Sequence, residues 1–166
     1  AVGALVGALV ARLGDARGRL HIVRFGGPGA AAESIAGVPV VRVGLVDDFG
    51  AALAGLDLLL HLPAHDRVGM ATLEAMALGV PSVAVPTGGL EELVRDGRDV
   101  VLARGAPGLP EPLAVAQAAA PLLLDAPRRA ALAEAGRALG DALPPARFLT
   151  ATNATYLSAL AAHVRR

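Results

Sequence analysis

Two carboxylates and a glycine in the middle of the chain could bind a polar ligand. Asp66 and Glu74 stand eight positions apart, with Gly69 between them. A residue without a Cβ lets the backbone approach a ligand closely, and the N–H groups from Gly69 to Ala71 would open a helix that favours anionic or hydroxyl-bearing groups. Each carboxylate also has an ordinary structural interpretation: Glu74 as a solvated helix residue and Asp66 as a cap of the following helix.

Two further glycine groups follow apolar runs that we predict to be strands. Gly88-Gly89 come after Ser82–Val85 and permit a tight turn at the carboxyl end of a strand, where open α/β sheets bind ligands. Glu92 follows them and either contacts a ligand or braces the loop. The run Gly26–Gly29 lacks the GxGxxG spacing of dinucleotide sites, so it indicates either a loop beside a nucleotide or an ordinary turn.

Composition argues against several kinds of site. The chain has no Cys, which excludes disulfides, and its 15 Lys+Arg balance 15 Asp+Glu, which gives no broad field for nucleic acid. His61 and His65 are four apart, but Pro63 between them breaks a helical pair, so we expect no metal. His65 abuts Asp66 and could line the same pocket. The apolar stretch Ala1–Leu13 is shorter than a membrane span of roughly 20 residues, and we expect no transmembrane segment.

The elements that must position these residues alternate between strand and helix. Apolar runs without polar alternation are typical of parallel strands covered on both faces. The predicted strands are Leu20–Phe25, Pro39–Val43, Leu56–Leu62, Ser82–Val85 and Val100–Ala103. The predicted helices between them are Val2–Leu13, Ala30–Ile35, Phe49–Ala54, Gly69–Leu78 and Leu90–Arg95. In the helix Gly69–Leu78, we expect Met70, Leu73, Met76 and Ala77 to form the apolar stripe.

The order of elements predicts an α/β fold: a Rossmann-like, doubly wound parallel sheet flanked by helices, with a helical tail. A loop over Arg104–Pro112 separates the sheet from the tail, in which we predict helices at Leu113–Leu124, Ala126–Leu139 and Phe148–Val164. We expect one domain over residues 1–166, with the sheet part at about 1–103 and the tail at about 111–166.

The central segment resembles the donor-binding, C-terminal half of GT-B glycosyltransferases of the retaining, family 4-like group (glycosyl transferases group 1). That family carries an acidic residue, two residues, Gly, four residues and Glu-Ala-Met-Ala-x-Gly-x-Pro, which Asp66, Gly69 and residues 74–81 match. Its Gly-Gly-x-x-Glu pattern matches Gly88, Gly89 and Glu92. Two positions depart from the pattern: Asp66 replaces the usual Glu, and Phe25 replaces the first Gly of Gly-x-Gly-Pro, which leaves Gly27-Pro28 in register.

The resemblance implies a hexosyltransferase that uses a nucleotide-diphosphate sugar, retains configuration and needs no cofactor. It implies that Glu74 accepts hydrogen bonds from the ribose and that Asp66 is the catalytic residue beside the transferred sugar. The remaining donor-binding residues that it implies are Gly69, Met70, His65, Gly27, Gly88, Gly89 and Glu92. The Arg and Lys with which the family neutralises the donor diphosphate have no counterpart here, and the chain contains no Lys.

The acceptor would bind to an N-terminal domain that this sequence lacks, so we expect the fragment alone to be inactive. We expect a cytoplasmic location, with peripheral attachment to the inner face of the membrane as an alternative. Two other functions stay open: a sugar-nucleotide epimerase of GT-B architecture, and a non-catalytic module that keeps the fold. An epimerase would produce a new sugar without an acceptor, and an inert module would bind no nucleotide.

Overall fold

A computed structural model of the chain describes residues 2–62, 68–106, 108, 111–142, 150 and 153–158. The helices are α1 (Val2–Leu13), a 3₁₀ helix (Gly14–Arg19), α2 (Phe49–Ala54), α3 (Met70–Ala77), α4 (Gly88–Leu93), α5 (Glu111–Leu124) and α6 (Ala126–Asp141). The strands are β1 (Ile22–Ile35), β2 (Val38–Gly44), β3 (Leu59–His61), β4 (Ser82–Ala84) and β5 (Val101–Leu102). Residues 153–158 are also helical, and the rest of the predicted helix Phe148–Val164 lies largely outside the described residues.

The apolar runs in the middle of the chain form a three-stranded parallel sheet in the order β3-β4-β5. All three residues of the central strand β4 are buried, as the unbroken apolar pattern predicts. Val83 packs with Leu9 of α1 and Val115 of α5, whereas its neighbour Ala84 packs with Met76 of α3. Successive strand residues point to opposite faces, so helices cover both sides of this sheet. The predicted α/β class, with a parallel sheet flanked by helices and a helical C-terminal part, is confirmed.

The first two strands depart from the prediction, because they form a separate two-stranded sheet. The helix predicted at Ala30–Ile35 is wrong: these residues are the second half of β1 and pair antiparallel with β2, from Ala31 opposite Arg42 to Ile35 opposite Val38. Ala36 and Gly37 join the strands with positive φ angles of 52° and 79°. Two consecutive positive φ angles are typical of the tight type I′ hairpin turn, and strand pairing here overrides the helical preference of the Ala-rich segment.

The first half of β1 keeps the direction that a doubly wound fold requires. From Ile22 to Arg24 the partners on β2 rise from Val40 to Arg42, which is the register of parallel strands. Arg42 therefore has a partner on each side, Arg24 on one edge and Ala31 on the other. The two halves of β1 thus lie on opposite edges of β2.

The C-terminal helix α6 packs closely against α3. A Cβ built on Gly140 would lie 2.7 Å from the Cα of Ala77. Nearby, Nη2 of Arg137 donates to the carbonyl oxygen of Leu78 at 3.0 Å, at the end of α3. The helix that carries Glu74 is therefore held between the sheet and the C-terminal helix. No helix within the described ranges is long and apolar enough to cross a membrane.

Candidate functional site

The candidate site lies where the three parallel strands end. His61, the last residue of β3, stands opposite Ala84, the last residue of β4. The N–H of Val85 donates to the carbonyl oxygen of His61 at 3.1 Å, and the N–H of Ala103 donates to that of Ala84 at 2.8 Å. The chain leaves this edge toward α3, α4 and Arg104, so the predicted site segments share one edge of the sheet.

Gly69 occupies a position that only glycine fills easily. It precedes α3 in the left-handed conformation, with φ 77° and ψ 43°. A Cβ built there would lie 3.2 Å from Cδ2 of Leu90, so the start of α3 rests directly against α4. Its carbonyl oxygen accepts from the N–H of Thr72 at 2.9 Å and from that of Leu73 at 3.2 Å. Any side chain here would be strained and crowded.

Glu74 lies on the solvent side of α3. Its side chain is exposed, whereas Thr72, Ala75 and Met76 are buried. An exposed carboxylate on the helix that starts at the sheet edge is available to accept hydrogen bonds from a ligand. Because helix neighbours are three and four residues apart, the buried row runs through 72, 75 and 76.

The predicted stripe is therefore only partly right. Met76 is buried and Leu73 half-buried, but Met70 is 55% exposed and Ala77 is exposed. Met70 is the first residue of α3 and follows Gly69 at the edge of the sheet. A flexible, polarizable side chain in this place is suited to contact a ligand.

The sequence analysis missed a polar pair behind the site. Nδ1 of His61 lies 2.8 Å from Oγ1 of Thr72, and Thr72 is 0% exposed. The detectable signal was a polar Thr four residues before Met76, on the buried row of α3, together with a His at the end of an apolar strand. A buried polar residue in such a row requires a hydrogen-bond partner.

Gly88 and Gly89 do not form the predicted tight turn. They are the first two residues of α4, after Thr87 at its N-cap, and neither is among the described glycines with positive φ. Glu92, the predicted site residue, is exposed. The neighbouring Glu91 is the one that braces the loop, since its Oε1 lies 2.5 Å from Nη2 of Arg104.

Arg104 follows β5 and joins two segments of this edge. Its Nε lies 3.5 Å from Oδ2 of Asp96, and Oδ1 of Asp96 accepts from the N–H of Leu102 at 2.9 Å. The hydrogen bond that Arg104 donates to the carboxylate of Glu91 raises the pKa of Arg104 above its ordinary value. Asp96 thus has a structural function, because it contacts both Arg104 and the N–H of Leu102.

Gly27 lies within β1, in the two-stranded sheet. It is exposed, with a φ of 79°, and a Cβ built on it would lie 3.9 Å from Cδ of Arg42. Nearby, the ring of Phe25 packs edge-to-face on Phe49 with 5.5 Å between centroids. Phe49 begins α2 and packs in the same cluster as Ala75 of α3. These contacts connect the Gly27 segment to the Glu74 helix.

Asp66 and His65 fall outside the described residues, so their assignments stay predictions. Among the residues that are described, no group of three or more His, Asp and Glu could hold a metal ion. The described part of the site thus offers an exposed carboxylate, a glycine-opened helix start and adjacent strand ends. This arrangement is that of an α/β domain with its candidate site at the carboxyl edge of a parallel sheet, where open α/β sheets bind ligands.

Comparison with known proteins identifies the family. The model of the glycosyl transferases group 1 family matches residues 1–125, and the chain belongs to this family. Over 87 residues it is 40% identical to a D-inositol 3-phosphate glycosyltransferase from Salinispora tropica, a match that covers 52% of this chain and 17% of that protein.

A solved GT-B structure has the same fold. Anabaena Alr3699/HepE, crystallised with UDP and glucose, superposes with a TM-score of 0.61 and 28% identity over 72% of this chain and 32% of that chain. Further structures of the same protein hold UDP-glucose and UDP. The chain thus spans 17% of the curated relative and 32% of the solved one.

Proposed function

We propose that this chain forms the donor-binding part of a group 1 glycosyltransferase. In this proposal it holds a nucleotide-diphosphate sugar, whose hexosyl unit is transferred to an acceptor with retention of configuration. The observation that carries the proposal is the exposed Glu74 on a helix that Gly69 opens at the carboxyl edge of the sheet. The complexes of Anabaena Alr3699/HepE with UDP and UDP-glucose support a donor of this class.

The proposal gives each site residue a chemical task. Glu74 accepts hydrogen bonds from both ribose hydroxyls, because a carboxylate can bind two donors in a forked geometry. The backbone N–H groups at the start of α3 face the sugar and phosphate oxygens. Asp66, with His65 beside it, contacts the transferred sugar near the reacting carbon. Asp is shorter than the usual Glu by one methylene, so this contact shifts or passes through water.

The other residues border the ligand. Met70 covers the nucleotide with its exposed side chain, and Gly27 lies beside it on the opposite wall. Gly88 and Gly89 begin α4 without side chains, which leaves room for the donor at the start of that helix. Glu92 lies on the exposed face of the same helix, at the rim of the site.

Catalysis in this proposal depends on a second domain. The charge that develops on the departing diphosphate is stabilised by oriented N–H groups and cations, an electrostatic contribution that can dominate a rate enhancement. A further domain binds the acceptor and closes over the donor to exclude water. The chain alone then binds a donor nucleotide and transfers no sugar. The cytoplasm, with peripheral contact to the membrane as the alternative, is the location that fits a nucleotide-sugar donor.

A calorimetric titration of the chain with UDP, GDP, ADP and UDP-glucose tests the proposal. We expect saturable binding of one nucleotide, with its sugar derivative bound at the same site by competition. Sugar transfer is then assayed with the full-length protein. A protein that binds none of these ligands would contradict the proposal, and a new sugar nucleotide formed without acceptor would indicate an epimerase instead.

A further inference from the structure

Arg42 is a half-buried cation with an unsatisfied donor. Its Nε has no access to solvent and no hydrogen-bond partner. Within the described part of the chain, this guanidinium takes part in none of the ion pairs, whereas its neighbour Arg24 has Glu33 within 3.9 Å. Buried donors are normally paired, so an orphaned one indicates either strain or a missing acceptor.

The position of Arg42 explains why its Nε atom is withheld from solvent. Val38, Val40 and Arg42 alternate along β2, so they share the face that packs toward α1. Val38 and Val40 are buried there, and Arg42 is the next residue on that face toward the strand end. Gly27 lies over it, with a would-be Cβ 3.9 Å from Cδ of Arg42.

A shallow, open depression lies beside Arg42. It has a volume of about 420 Å³ and is lined by Ala30, Ala31, Ala32, Val41, Arg42 and Val43. Arg42 is the charged group of this lining.

We infer that Arg42 is a further nucleotide-binding residue of the donor site, donating a hydrogen bond to an acceptor oxygen of the bound nucleotide. The inference rests on the proposed function, because it is Gly27, a donor-site residue in that proposal, that lies over Arg42. A guanidinium presents several donors in a fixed plane and can bind either a base carbonyl or a phosphate oxygen. Both sources have the same acceptor chemistry, and the ligand series below separates them.

The test compares Arg42→Met with Arg24→Met. Methionine keeps an unbranched side chain of similar reach but removes the donors, and Arg24 is the register neighbour that already has an anionic partner. Each variant and the wild-type protein are titrated with UDP, UMP and uridine. Thermal unfolding is followed in parallel without ligand.

The inference predicts opposite effects on affinity and stability. Without ligand, Arg42→Met should unfold at a higher temperature than wild type, because it removes an unsatisfied buried donor. Its affinity for UDP should fall about tenfold or more, as expected for a charged hydrogen bond. If Arg42→Met loses as much affinity for uridine as for UDP, the acceptor of the hydrogen bond is on the base. If the loss of affinity is confined to UMP and UDP, the acceptor is a phosphate oxygen. Arg24→Met should leave all three affinities within about twofold.

Two results would overturn the inference. One is a UDP affinity of Arg42→Met within twofold of wild type while Glu74→Ala weakens binding, which leaves the proposed function intact. The other is an equal loss in Arg24→Met, which would indicate a general effect of charge. If wild type binds no nucleotide at all, both the inference and the proposed function fail.

Discussion

The Nδ1 atom of His61 lies 2.8 Å from the Oγ1 atom of Thr72, which ties the carboxyl end of β3 to the first turn of α3. Thr72 is fully buried, and its N–H donates to the carbonyl oxygen of Gly69 at 2.9 Å. Glu74 follows two residues later on the exposed side. The helix that carries the proposed ribose-binding carboxylate is therefore joined to β3 by a part-buried polar contact.

Replacing Thr72 with Val should destabilise the protein while preserving its shape. The change removes the hydrogen bond between Thr72 and His61, and the loss of one such bond costs about 0.5–1.5 kcal/mol in free energy of unfolding. Urea denaturation would measure the loss. Thr72→Ser keeps the hydroxyl and removes one methyl group, so it should lose only about 0.8 kcal/mol. A Val variant as stable as wild type would show that the contact contributes nothing.

Gly140→Ala should weaken the packing of α6 on α3. The new Cβ would stand 2.7 Å from the Cα of Ala77, so the helices must separate. Overpacking of this kind costs about 1–3 kcal/mol. The matched control is Gly7→Ala in α1, where nothing lies within 4 Å of the new Cβ and where Ala should stabilise the helix by about 0.5–1 kcal/mol. Equal effects of the two substitutions on the melting temperature would argue against close packing of these helices.

Ala36→Gly should stabilise the hairpin turn between β1 and β2. Ala36 has a φ of 52°, where an L-residue with a Cβ is strained by roughly 1–2 kcal/mol. Glycine relieves that strain but adds entropy to the unfolded chain, which leaves a net gain of about 0.5–1 kcal/mol. Ala31→Gly, at an ordinary position of the same strand, should destabilise by about 0.5–1 kcal/mol. If Ala36→Gly also lowers the unfolding midpoint, the turn has another geometry.

The sequence predicted those elements whose patterns are local. Helices α1 and α2 begin and end at the predicted residues, and the parallel strands lie within their predicted apolar runs. The helix prediction for Ala30–Ile35 failed because the Ala-rich composition of this segment favours a helix. In the structure, pairing with β2 across a two-residue turn makes it a strand instead. An Ala-rich strand lacks the alternation of polar and apolar residues from which a strand can be predicted.

Residue type predicts the local environment of two candidate site residues, whose contacts with a ligand stay predictions. Gly69 has the left-handed conformation that only glycine adopts easily, and Glu74 is exposed. The glutamate that braces the loop was harder to predict, because Glu91 and Glu92 are adjacent. The choice between them depends on Arg104, which comes twelve or more residues later and meets Glu91 only through the fold. Arg42 likewise has no distinguishing sequence pattern, and only the fold places Gly27 beside it.

The most direct test of the central claim is a calorimetric titration of wild type, Glu74→Ala and Glu74→Gln with UDP-glucose. The control is Glu134→Ala, which removes an exposed glutamate from α6. Loss of a forked, charged acceptor should weaken binding by on the order of 1.5–3 kcal/mol, about tenfold or more, in both Glu74 variants. Glu134→Ala should bind as wild type does. An affinity of Glu74→Ala within twofold of wild type would contradict the account and move the donor site away from α3.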